Sequence, residues 1–370
     1  MRANSLLFVA AGLLLLPRVA PAQSNAGQSK SAPSIPSQPA TATESYWTLL
    51  HEEAAVADLK LTPAQRGEYL TTLDALDLRL FPLRNRPVKE ASEGAEKIVA
   101  DAKAAMAKTL TPKQLARLDK LVLRQLGTRA LKEESVVKAL ALSDKQRTAI
   151  DAALADTQSA QTRLREAATD KSPEDLRREA DKIQSTERSA ILAALTDAQK
   201  QKWAALVAID FDLAKLGRTR FKVPELTGDA SAWRNSPPLS LASQRGKVVV
   251  VHFFACGCIN CIHNYPIYRK WHAELSAKDV TLIGIHTPET KTEHDIAHLE
   301  RKIKEDQLEF PLLIDNDGAN WNAWGNSMWP SVYVIDKQGY LRHFWAGELK
   351  WQGAKGEEIT RDWIDRVLVE

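Results

Sequence analysis

Cysteine is nearly missing from this sequence: three residues in 370, all between Cys256 and Cys261. A small fold stapled by disulfides needs an even set spread along the chain, so that class is excluded. A surplus of one charge is missing too. Fifty basic residues against 47 acidic ones leave a formal +3, too mild for a nucleic-acid protein. Long apolar runs are scarce. The run from Leu6 to Leu16 makes only about 16 Å of helix, short of a bilayer core, and no later stretch is long enough to span. Aromatics are thin in the first 230 residues, where two of the ten tryptophans fall.

What is present begins with an address. Met1-Arg2 gives a positive start, the apolar run follows, and Ala20-Pro21-Ala22 is the small-x-small pattern a signal peptidase reads. Residues 1–22 read as a signal peptide. The chain is then exported to the periplasm or cell envelope and soluble after cleavage. Residues 23–43, rich in Ser, Pro, Ala and Gln, have no apolar periodicity and read as a flexible linker. Outside the cytoplasm a cysteine pair can persist as a disulfide or cycle as a redox couple.

Residues 44–217 read as an all-α domain, rich in Ala, Leu, Lys, Arg, Glu and Gln, with apolar residues at steps of three and four. One pentad recurs: Leu61-Thr62-Pro63-Ala64-Gln65, Leu110-Thr111-Pro112-Lys113-Gln114, Leu142-Ser143-Asp144-Lys145-Gln146 and Leu195-Thr196-Asp197-Ala198-Gln199. A hydroxyl cap, Pro or Asp in the first turn and Gln three residues on form a capping box, so helices are expected from about 62, 111, 143 and 196. The pentads resemble the LTxxQ motif of Spy/CpxP-like envelope proteins, and that resemblance implies client binding. Helix capping in an antiparallel bundle explains the same residues. The uneven spacings of 49, 32 and 53 residues do not fit a solenoid of equal units.

Near Arg218 the composition turns. Strands are expected at Val248–Ala255, Val280–His286, Phe310–Asp315, Ser331–Asp336 and Tyr340–Ala346. Helices are expected at Ile259–Ala277, about Thr292–Gln307, near Trp321–Trp324, and Glu357–Val369. This order gives a layered α/β sheet over residues 221–370. Cys258-Ile259-Asn260-Cys261 lies where the first of these strands becomes a helix. A thiolate at Cys258 meets free amides and the positive end of the helix dipole, which lowers its pKa and makes it the nucleophile. Cys261, one turn further on, is placed to resolve a mixed disulfide.

The C-terminal region resembles the thioredoxin superfamily, in its TlpA/DipZ-like branch of exported thiol–disulfide oxidoreductases. The resemblance rests on Trp233, Asn235-Ser236, Pro238-Leu239-Ser240-Leu241, Arg245-Gly246-Lys247-Val248-Val249, the CxxC, Pro266, Gly284 to Glu289, Asp315-Asn316-Asp317, Trp329-Pro330, Asp336 with Gly339, and Gly347-Glu348. It implies an α/β thioredoxin-like fold, a central mixed sheet flanked by helices, placed C-terminal to the all-α domain. It implies that Cys258 attacks and Cys261 resolves, forming a redox-active disulfide with no other cofactor. Pro330 is then the cis-proline that lets a substrate strand pair beside the thiols, with Trp329 flanking it. Asn260, inside the CxxC, is a supporting residue. Substrates are protein thiols and disulfides, electrons come from a membrane partner, and the reducing direction is favoured.

Two positions depart from that pattern. His252 stands where many thioredoxins bury an acid that relays a proton to the resolving cysteine. It is either that base or a neutral, hydrogen-bonded core histidine, with Glu289 as the alternative proton carrier. Cys256 is an extra thiol: free, paired between chains, or competing for Cys261. With Cys258, Cys261 and His263 it also spells a soft-metal pattern, though too tight for one tetrahedral ion, so no metal ligands are assigned. His294 and His298 are expected to share a polar helix face, His286 to position Glu289, and Trp321 and Trp324 to fill core. The alternatives to an oxidoreductase are a client-binding envelope chaperone with an auxiliary thioredoxin-like domain, and a copper-binding thioredoxin-like protein.

Overall fold

The chain is described by a computed structural model over residues 41–167 and 171–370. The signal peptide and most of the linker lie outside the described residues. The end of that linker is helical: Thr41 caps α1 (Ala42–His51), its hydroxyl accepting from the Glu44 amide.

The capping pentads start helices where the sequence places them. After α2 (Glu53–Asp58) come α3 (Pro63–Leu80), α4 (Val88–Thr109), α5 (Pro112–Leu126), α6 (Glu134–Leu140), α7 (Asp144–Glu166), α8 (Pro173–Ala193) and α9 (Asp197–Val207). Thr111, Ser143 and Thr196 each close a full capping box with the glutamine three residues on. Thr62 and Gln65 exchange the same two bonds. The motif does more than cap. Gln65 and Gln114 hydrogen-bond each other reciprocally, and each also donates to a carbonyl preceding the other's helix, Thr109 and Leu59. Gln146 and Gln199 repeat this arrangement with Ala194 and Leu140. The four pentads are therefore two reciprocal locks.

From Phe221 the chain builds a seven-stranded mixed sheet. Its strands are β1 (Phe221–Lys222), β2 (Trp233–Arg234), β3 (Val248–Phe254), β4 (Val280–His286), β5 (Leu312–Ile314), β6 (Ser331–Ile335) and β7 (Tyr340–Ala346), in the order β1-β7-β6-β3-β4-β5-β2. β3 is central, parallel to β4 and antiparallel to β6, and all seven of its residues are buried. Burial on both faces is why it reads as an apolar run broken only by His252. Helices α10 (Ile259–Leu275), α11 (Ile296–Glu305), α12 (Ala319–Ala323) and α13 (Gly356–Val369) accompany the sheet. Tyr268, Trp271 and Leu275 of α10 join Ile364 and Val367 of α13 in its aromatic-rich core. The fold is thioredoxin-like. The two edge strands β1 and β2, two residues each, are too short to leave a periodicity in the sequence.

Two helix expectations need correction. The segment from Thr292 to Gln307 is not one helix, because Asp295 caps α11 afresh with its carboxylate on the Ala297 amide. His294 ends the preceding 3-10 turn, Lys291–His294, so it shares no helix face with His298. The compact units keep the compositional break at 217/218 but also divide the helical stretch. Arg66–Ala105 belongs to the same unit as Arg218–Glu370, and the other unit comprises the described parts of Gly27–Gln65 and Met106–Gly217. In the former, Asp77 accepts from the Lys222 amide at 2.7 Å, and Arg84 donates to the Trp324 carbonyl and the Tyr333 hydroxyl.

Candidate active site

Parallel strands β3 and β4 deliver their C-terminal ends to the edge of the sheet where antiparallel β6 begins. Phe254 pairs with His286, and Phe253 with Ser331. Three loops meet there: Ala255–Cys258, Thr287–Thr290 and Trp329–Pro330.

Cys258 is the N-cap of α10, its carbonyl accepting from the Cys261 and Ile262 amides at 3.0 Å each. It is the partly exposed thiol, whereas Cys256 and Cys261 are buried, and all three are free. The Cys258 thiol is pulled from the ordinary 9 down to about 7. A hydrogen bond from the Cys261 thiol is the main cause, with the backbone amides of Cys261 and Asn260 assisting. Partial burial and the Glu289 charge oppose them. Asn260 thus contributes through its amide. Cys261 moves the other way, held well above 9 by burial first and then by its sulfur neighbour. Burial also pushes Cys256 up, to about 11, with the Glu293 charge adding to it. One reactive thiol beside a protonated one is the asymmetry that thiol–disulfide exchange uses.

The Trp329–Pro330 bond is cis. The Trp329 indole donates to the Thr287 carbonyl at 3.0 Å and stacks on Trp321 with ring centroids 4.1 Å apart. Trp321 is therefore not core filler like the fully buried Trp324; it backs Trp329. Ile259, next to Cys258, is 60% exposed, an apolar side chain presented at the site.

His252 is a core residue. It stacks on Tyr268 at 4.1 Å and packs against Phe254 and Phe310. Neither ring nitrogen has a hydrogen-bond partner among the described residues, so the expected satisfied hydrogen bond is absent. Burial lowers its pKa to about 3 and keeps it neutral. Glu289 is exposed, and its charge raises both Cys258 and Cys261. His286 does not position Glu289. Its ring is buried edge-on to Phe254, and neither of its nitrogens has a partner among the described residues. His263 hydrogen-bonds Glu348 at 2.9 Å, and among the described residues no three His, Cys, Asp or Glu side chains converge on a point.

Sequence reasoning missed Glu293. It is 3% exposed, and its carboxylate joins two of the three loops. One oxygen accepts from the Gly257 amide at 2.6 Å; the other accepts from the amides of Glu289 at 2.6 Å and Thr290 at 3.0 Å. Its signal was legible: Thr290-Lys291-Thr292-Glu293 is a T-x-x-E capping box.

Residues 220–344 match the AhpC/TSA family. Protein DipZ of Mycobacterium tuberculosis is 35% identical over 128 residues, 34% of this chain and 18% of that protein. The chain thus spans less than a fifth of DipZ. Thiol-disulfide oxidoreductase YkuV of Bacillus subtilis is 28% identical over 153 residues, 41% of this chain and 98% of that protein. Among solved structures, a thioredoxin-like protein in its oxidized form is 28% identical, with 40% of this chain and 96% of that one covered at a TM-score of 0.36. The AhpC/TSA match over residues 220–344 coincides with the mixed sheet and with the cysteine pair at the end of β3.

Proposed function

We propose that the chain is an exported thiol–disulfide oxidoreductase that reduces protein disulfides through Cys258 and Cys261. The observation carrying this reading is the split between the two thiols: Cys258 partly exposed and lowered to about 7, Cys261 buried and raised. The Cys258 thiolate attacks one sulfur of a substrate disulfide, and the other substrate sulfur leaves as a thiolate that takes a proton. Cys261 then gives up its proton and attacks the Cys258 sulfur, expelling the second substrate thiolate. The substrate gains two electrons and the chain is left with a Cys258–Cys261 disulfide, which a membrane donor of dithiol chemistry re-reduces. Glu289, an exposed acid whose charge acts on both thiols, carries the Cys261 proton. The cis-Pro330 backbone pairs with the substrate strand, and Trp329, Trp321 and Ile259 supply its apolar contacts.

The reducing direction is supported by the nucleophile's pKa. Strong dithiol oxidants hold their thiolate near 3.5, whereas reductants hold it near 7, so the oxidised form here is the less readily refilled one. Client binding by the LTxxQ pentads has less support, since the motif glutamines are engaged with each other and with backbone carbonyls.

Insulin reduction tests the proposal. The full chain with dithiothreitol should precipitate insulin B chain well faster than dithiothreitol alone. Cys258→Ser should abolish the gain, and Cys261→Ser should accumulate a mixed disulfide. A wild-type rate no higher than the reagent blank would refute the reading.

A further inference from the structure

Glu293 is 36 residues from Gly257 in sequence, yet its carboxylate bridges the nucleophile's loop to the Thr287–Thr290 loop. Every backbone donor it takes belongs to the frame around the thiols: Gly257, one residue before Cys258, then Glu289 and Thr290. The fit is close. A Cβ added at Gly257 would stand 2.5 Å from the Glu293 oxygen, so no other residue fits at 257 while the bond exists. Three charge-assisted bonds to backbone amides in a buried site make a stiff link, and the glycine opposite leaves room for it.

We propose that Glu293 is the positioning residue of the nucleophile, a carboxylate clasp that fixes the Gly257 peptide and so holds the Cys258 sulfur against the Cys261 thiol and the amides opening α10. The inference deepens the thiol-exchange reading and rests on it. The link runs through geometry, and this can be told apart from simple charge. The charged and ionisable groups around this link are Cys256, on which Glu293, Lys302 and Asp306 act, His286, on which Glu293, His294 and His298 act, and Glu289, which acts on the two active thiols. A buried negative charge near thiols disfavours every thiolate. Removing it therefore lowers the Cys258 midpoint if charge alone matters. If the clasp matters, its loss lets the sulfur leave its donors, and the midpoint rises.

Glu293→Gln preserves size but turns an NH2 toward backbone N–H groups on one side or the other, so one arm of the clasp opens. Gly257→Ala leaves the carboxylate in place and displaces it sterically, which keeps the proposal testable if the first variant does not fold. The measurement is the pH dependence of Cys258 alkylation by iodoacetamide in the full reduced chain, with the modified residue located by mass spectrometry. Wild type should show a midpoint near 7. Both variants should shift it upward by about one pH unit, cutting alkylation at pH 7 about fivefold. A midpoint unchanged or lowered in a folded variant overturns the proposal. Alkylation is read without any substrate protein, so a wild type inactive on insulin would remove the functional reading and leave this result to decide Glu293 alone.

Discussion

At the scale of single residues, burial decides which ionisable groups work and which are ballast. His252 had two sequence readings, and position alone did not separate them. Its surroundings do: an aromatic cage with no hydrogen-bond partner for the ring among the described residues, in which the neutral ring is the stable form. His286 and His343 are likewise buried and lowered, each to about 4. The sign of the consequence follows. Unfolded, each histidine takes a proton near pH 6.5, whereas folded it resists until 3 to 4. Stability is therefore full above 6.5 and falls as pH drops below it, by about 1.4 kcal/mol per pH unit per histidine. Urea unfolding at pH 7 and pH 5.5 checks this. His252→Phe, which keeps the stack on Tyr268, should lose distinctly less stability between those pH values than wild type. Equal losses would show that His252 is not one of the groups responsible.

At the scale of elements, most of the candidate site was legible because its chemistry is local. A strand running into a helix with cysteines at its first turn places Cys258 and Cys261 without any tertiary knowledge, and the capping pentads place four helix starts. Glu293 and Trp321 were harder. Each acts on a residue many positions away, and the local patterns, a capping box and an aromatic pair, have ordinary structural meanings. The same limit hid Arg84. It lies in the 3-10 turn Phe81–Asn85 between α3 and α4, in a helical stretch of unremarkable composition. Its guanidinium donates at 3.0 Å to both the Trp324 carbonyl and the Tyr333 hydroxyl, and lies 4.5 Å from the Phe344 ring centre. Gly325, with φ of 59°, lets the Phe81 carbonyl approach where a Cβ would stand 1.9 Å away. Arg84→Ala should cost about 2 kcal/mol in urea unfolding, since it leaves two acceptors and an aromatic face without their cation. Arg84→Lys should recover only part, because an ammonium cannot reproduce the planar guanidinium lying over the Phe344 ring. A loss under about 0.5 kcal/mol in the alanine variant would contradict this account.

At the scale of the whole molecule, the change of composition near residue 218 marks both a change of fold type and one edge of the compact units, but it does not show that Arg66–Ala105 groups with Arg218–Glu370. Composition records what an element is made of; it does not record what the element packs against. Helices α3 and α4 carry the same Ala, Leu and Lys as their neighbours in sequence, and nothing in that pattern says that their apolar faces belong with a sheet more than a hundred residues away. The contacts say it. The buried Asp77 carboxylate satisfies the amide of edge strand β1, and the Tyr340 hydroxyl of β7 donates to Asp74 at 3.4 Å. Phe81 meets the Trp324 ring edge-on at 6.3 Å, while Arg84 reaches β6 and β7. A fragment of residues 218–370 holds every strand among the described residues together with Cys258 and Cys261, so a boundary drawn from sequence makes it the natural piece to express. It would lose the acceptor for the Lys222 amide, the cation over Phe344 and the cover beside Gly325. Compared with the full chain in urea, followed by tryptophan fluorescence, the fragment should unfold at a clearly lower midpoint and bind a hydrophobic dye before unfolding. Matching midpoints would mean that residues 66–105 rest on the sheet without stabilising it. The cysteine pair belongs to the thioredoxin-like fold, but the stability of its frame would then have to come from residues 218–370 alone, which the buried Asp77 and the tight approach at Gly325 argue against.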